Sequence, residues 1–151
     1  MFTKRRGITY NLQYQEQVEL VTKALGYLPD EVQEFFSKHY VEIISQEGHT
    51  FTLTHHDIKQ KQKEGVYAII NIHWYLWDVL DDKEIIRILL HELAHVYLNH
   101  TMDAEDAQRA QQEQQVHALT AQWGFPYNPD EDHKRKKQVK TKKKKADVPT
   151  F

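Results

Sequence analysis

His91-Glu92-Leu93-Ala94-His95 puts two imidazoles and a carboxylate at the spacing a helix needs to hold one divalent ion beside a general base. At about 100° per residue, His91 and His95 project about 40° apart, and Glu92 falls inside the same roughly 100° arc. Two neutral imidazoles at i and i+4 can ligate Zn²⁺ while the carboxylate reaches a water at an open coordination position. The chemistry such a set performs is metal-assisted hydrolysis. The chain holds ten histidines in 151 residues, so the pattern needs support from its surroundings.

Asp81-Asp82-Lys83-Glu84 has the form of a helix start, with a capping carboxylate and further acids in the first turn. From Ile85 to Leu98 the chain is apolar almost all round, which predicts a central helix. Such a helix carries His91, Glu92 and His95 through its middle only if something satisfies them, because an unpaired buried carboxylate costs several kcal/mol, roughly.

A metal site of this kind needs a third protein ligand. Residues 103 to 123 read as the next helix, ending at Gly124 with Pro126 soon after. Glu113, Val116 and His117 share one face of it, which continues to Thr120 and Gly124, so Glu113 can meet the metal from a second packed helix. His100 is the alternative metal ligand. It lies about 180° from His91 on a continuous helix, and ligates only if the chain turns sharply near Asn99. Asp103, Glu105 and Asp106 stay open as further donors.

His91 to His100, followed by Glu113-Gln114-Gln115-Val116-His117-Ala118-Leu119-Thr120-Ala121-Gln122-Trp123-Gly124, resembles the gluzincin pattern H-E-x-x-H, then E-x-x-A-D-x-x-A-x-x-x-G. That pattern occurs in the small ImmA/IrrE-like zinc metallopeptidases and minigluzincins, and in the larger CAAX-prenyl-protease and heat-shock-protease family. The resemblance covers roughly residues 66 to 125. It implies His91, His95 and Glu113 as zinc ligands, one zinc per chain and Glu92 as general base. Val116 stands where the pattern has Ala. His117 stands where it has Asp, the group that orients a ligand imidazole, and a neutral His can accept the same hydrogen bond.

The rest of the chain must position these groups. Val66 to Ile72 is rich in β-branched and aromatic residues and should be a strand. The zincin resemblance implies that this strand edges the cleft, so that Ala68, Ile69, Ile70 and Asn71 pair with an extended substrate. Tyr40 to Ile44 and Thr50 to Thr54 alternate around Gly48 and predict a hairpin in the same sheet. Leu12 to Leu25 and Pro29 to Phe36 predict helices, with Gly26 as a stop. The expected class is α+β, a zincin-like (minigluzincin) domain with a small mixed sheet packed on helices that include the metal-bearing one.

With no cysteines, neither a disulfide framework nor a Cys-based zinc finger is available. No apolar run has the form of a signal peptide or of a spanning helix, so a cytoplasmic, membrane-free protein is expected. Residues 1 to 133 carry 11 Lys and Arg against 21 Asp and Glu, a net of -10, and residues 134 to 151 carry 9 against 1, a net of +8. The first part is expected to be the domain and the second a disordered basic tail, whose Lys-rich stretch 134–145 can contact nucleic acid or another polyanion without sequence preference. His55-His56-Asp57 reads as surface histidines, since adjacent strand residues point to opposite faces. His73 to Trp77 should pack as core or cleft wall, and Tyr127 and His133 are candidates for stabilising an oxyanion.

The expected function is a zinc metallopeptidase acting on a protein or peptide substrate. One alternative is a SprT-like protease acting near DNA, which would use a third His. Another is a non-catalytic zinc-stabilised binding or regulatory module of a phage or mobile element.

Overall fold

The computed structural model describes residues 8–12, 14–46, 50–54, 66–100 and 105–146, in a mixed α+β arrangement. Four strands, β1 (Ile8–Asn11), β2 (Val41–Ile44), β3 (Phe51–Thr54) and β4 (Ala68–Asn71), form one sheet in the order β1-β2-β4-β3. β1, β2 and β4 run parallel, and β3 is antiparallel to β4. A parallel pair needs a crossover, which α1 (Gln15–Leu25) and α2 (Asp30–Lys38) supply between β1 and β2. After β4 come α3 (Leu76–Val79), α4 (Asp82–Tyr97), α5 (Asp106–Gln122) and α6 (Pro129–Ala146). No helix among the described residues is long and apolar enough to cross a membrane.

α4 is the hub, packed against α1, α5, β3 and β4. Leu89, Leu90, Leu93, Ala94 and Val96 are fully buried, as are Val21 and Ala24 of α1, Ile43 of β2, and Ala68 and Ile70 of β4. Each such Leu or Ile contributes about 1.5 to 3 kcal/mol by leaving water, so the helix that carries the chemical residues is anchored in the core. It starts where the carboxylate at Asp81 predicted, with Asp81 Oδ1 accepting from Glu84 N at 2.9 Å.

Two expectations about the sheet are corrected. The segments 40–44 and 50–54 do not form a hairpin, because β4 lies between β2 and β3. For the same reason Ala68, Ile69, Ile70 and Asn71 are not an edge: β4 is bonded on both sides, and its backbone is spent within the sheet. Its buried residues, Ala68, Ile70 and Asn71, suit an interior strand covered on its faces. The edge beside α4 is β3.

The tail is the third correction. Residues 134–146, expected to be disordered, continue α6. Asn128 Oδ1 accepts from Asp130 N at 2.9 Å, Pro129 occupies the first turn, and Asp130, Glu131 and Asp132 meet the positive end of the helix dipole. Glu131 then pairs with Arg87 at 3.2 Å and Arg135 with Glu84 at 3.4 Å, tying this helix to α4. Local capping and ion pairs support a helix that composition alone cannot. Residues 147–151 lie outside the described set.

Candidate metal centre

His91 and His95 leave α4 on one side, one turn apart, with ring centroids 5.0 Å from each other. α5 crosses that side with Gln112, Val116 and Thr120 buried, which turns Glu113 inward. Its carboxylate bridges both rings: Oε2 lies 3.3 Å from His91 Nε2 and Oε1 lies 3.1 Å from His95 Nε2. One donor atom from each of the three residues falls within 4.8 Å of the others, and all three are partly buried. A tetrahedral zinc with bonds of about 2.0 to 2.1 Å has edges of roughly 3.3 Å, close to the two separations between Glu113 and the imidazoles. The donor set, two imidazoles and a carboxylate with room beside them, is the type that leaves a coordination position open.

The charges respond to this geometry. Hydrogen bonds from His91 and then His95 hold the Glu113 carboxyl well below the usual carboxylate range. Burial acts to lower the pKa of His91, but the hydrogen bond to Glu113 and the charges of Glu92 and Glu113 outweigh it, and the net direction is up. Negative charge is therefore concentrated where a cation would sit.

His100 takes a place the sequence left open. Asn99 adopts a left-handed conformation, φ 59°, and the helix closes with Asn99 N to Val96 O at 3.0 Å and His100 N to His95 O at 3.1 Å. The sharp turn does occur, yet it carries His100 to the back of His95 and not to the ligand face: His95 Nδ1 and His100 Nδ1 lie 2.9 Å apart, and His100 Nε2 lies 2.7 Å from Gln115 Oε1. Burial, the largest influence, lowers the pKa of His100. Glu105 and Asp106 sit exposed at the start of α5, and Asp103 is outside the described residues.

His117, expected to orient a ligand imidazole, is adjacent to the centre. Its Nε2 is 3.8 Å from Glu113 Oε2, beyond hydrogen-bond length, and its ring stacks on Tyr127 at 4.0 Å with planes 3° apart. Burial and then the charge on His91 lower its pKa. Tyr127 reaches this position because the chain turns just after α5 at Gly124, φ 98°, where Gly124 N bonds Ala121 O and Phe125 N bonds Thr120 O. His133 is exposed on α6, and His55-His56-Asp57 lies outside the described residues.

Glu92 receives a hydrogen bond from Thr52 Oγ1 on β3, the edge strand. Thr52 was not picked out in the sequence, since only the sheet order brings it to α4. Glu92, His91 and Glu113 open into one cleft of about 670 Å³. Leu76, Leu80, Ile88 and Phe125 give it apolar lining, and the α6 face completes it. No protein-family model, curated protein or solved structure matches this chain, and the chemistry of the site rests on its own residues.

Proposed function

We propose that this chain is a zinc-dependent peptidase of the zincin-like, gluzincin type, with His91, His95 and Glu113 as ligands and Glu92 as general base. The observation that carries the reading is the convergence of three donor atoms within 4.8 Å, from two helices, beside a carboxylate that is not one of them. Zinc bound there supplies Lewis acidity toward a water and a carbonyl. Glu92 takes the proton of the attacking water and delivers it to the leaving amine, with the Thr52 hydroxyl of β3 holding the carboxylate. An extended substrate pairs along β3, the edge next to α4, by adding a strand.

The third donor supports this reading over a SprT-like one. Glu113 reaches both imidazole Nε2 atoms, whereas His100 faces the far nitrogen of His95. The Lys-rich part of α6 is proposed to contact polyanions by counterion release, and the protein to act in the cytoplasm. Metal analysis of the full chain tests the ligand set. About one zinc per chain is expected, lost in Glu113→Ala and retained at saturating metal in His100→Ala. The reverse pattern favours the three-histidine site.

A further inference from the structure

A second cavity, of about 580 Å³, shares no lining residue with the metal cleft. Leu76 and Leu80 of the α3 segment face the cleft, while Asp78, between them in sequence, faces this cavity. It opens at the carboxyl ends of the three parallel strands: Tyr14 and Gln17 follow β1, Ser45 and Gln46 follow β2, and Trp74 and Asp78 follow β4. Open parallel sheets take their ligands at that end. The loops after β2 and β4 are fixed to each other. Gln46 N donates to Asn71 Oδ1 at 2.9 Å, Trp74 N to the Gln46 carbonyl at 3.3 Å, and Trp77 Nε1 to Ser45 Oγ at 3.0 Å.

Gln17 is the informative residue. It is only 8% exposed, its Oε1 accepts from Tyr14 N at 3.4 Å, and its Nε2 makes no hydrogen bond among the described residues. A nearly buried amide with an idle donor at a cavity wall is unfavourable until something accepts from it. Beside it, Tyr14 and Trp74 leave aromatic surface in solvent, 55% and 46% exposed. Asp78, the one charged lining residue, is exposed and forms no ion pair among the described residues. Glu16 offsets the positive end of α1, and Lys136 and Lys140 of α6 line the metal cleft instead.

We propose that this cavity binds an uncharged nucleoside, its base stacked on Trp74 and Tyr14, with Gln17 donating to the base and Asp78 accepting from a ribose hydroxyl. Each part answers a group on the wall. A flat base covers exposed aromatic faces, and such stacking tolerates any base. A ring nitrogen or carbonyl oxygen accepts from the idle Gln17 amide, the side-chain type that reads base edges. A hydroxyl satisfies Asp78 without an added charge. An organic cation would pair with Asp78 but leave Gln17 without an acceptor. A phosphate meets no lining cation and two nearby carboxylates, which sets the nucleoside above its nucleotide. The proposal does not depend on the peptidase reading.

Titration of the isotope-labelled full chain with adenosine, cytidine, adenine, adenosine monophosphate and methyl glucoside tests it. The Trp74 indole signal, assigned with Trp74→Phe, and the Gln17 side-chain amide signals report the site. Both nucleosides should shift these signals at up to millimolar concentration, and adenosine should bind tighter than adenine. Trp74→Ala should weaken adenosine about tenfold or more, the usual cost of losing a stacking face. Gln17→Leu should weaken adenosine and adenine alike. Asp78→Ala, at an exposed position, should remove the advantage of adenosine over adenine, with circular dichroism unchanged. If Gln17→Leu fails to fold, Trp74→Ala and Asp78→Ala still decide. Absence of any shift at Trp74, methyl glucoside binding as tightly as adenosine, the monophosphate binding tighter than adenosine, or unaltered affinity in Trp74→Ala overturns the proposal. Nucleoside binding by a chain that cleaves no peptide leaves this proposal standing, and peptide cleavage without nucleoside binding leaves only the peptidase reading.

Discussion

His95 Nδ1 lies 2.9 Å from His100 Nδ1, on the side of the ring away from Glu113. One of these nitrogens must donate. If His95 keeps its Nε2 lone pair for a metal, its Nδ1 proton points at His100, and His100 in turn donates from Nε2 to Gln115 Oε1. The chain from Gln115 to His95 therefore selects the tautomer that a ligand imidazole needs.

His100→Ala is accordingly expected to weaken zinc binding about 10- to 100-fold without changing stoichiometry at saturation. His117→Ala should weaken it less, because His117 is stacked on Tyr127 and forms no hydrogen bond to either imidazole among the described contacts. Competition against a chromogenic chelator measures both. A larger loss in His117→Ala contradicts this assignment.

In metal-free protein the bridge between Glu113 and His91 is a pH-dependent stabiliser. The raised pKa of His91 makes its contribution complete below about pH 6.5 and lost as pH rises through the raised value. The depressed pKa of Glu113 makes its contribution present above about pH 4.3 and lost on acidification. The stability difference between wild type and Glu113→Gln should therefore peak between those values and shrink toward pH 8, roughly. Denaturant titrations with chelator present check it. A difference that grows above the imidazole range contradicts the bridge.

Gly124→Ala should cost about 1 to 2 kcal/mol, because φ 98° is unfavourable for a side chain although the added Cβ meets nothing within 4 Å. The expected loss in Tm is about 2 to 8 °C. Substrate affinity should fall as well, since this turn sets Phe125 in the cleft and Tyr127 on His117. An unchanged Tm contradicts the role given to the turn.

What the sequence made legible follows from the range of the forces involved. α4, its Asp81 cap and the outward pair His91 and His95 are local facts, written in periodicity and helix geometry, and so is the face of α5 that carries Glu113. Strand neighbours are not local. Val41 to Ile44 and Phe51 to Thr54 look like partners because they adjoin in sequence, while the burial of Ala68, Ile70 and Asn71 inserts β4 between them. The parallel strand β1 was missed, having only four residues and a distant partner. The placement of His100 depends on a left-handed Asn99, which residue type permits but does not dictate. α6 was hidden by its lysines, although Asn128-Pro129 followed by three acids was a readable helix start.

The central claim is that Glu92 serves hydrolysis and not metal binding. Its most direct test is peptide hydrolysis by wild type and Glu92→Gln at equal, measured zinc occupancy. The account predicts cleavage by wild type and a loss to background in the variant, since the amide keeps the shape but cannot accept the proton. Equal cleavage by both, or zinc-replete wild type that cleaves nothing in a broad peptide library, contradicts it.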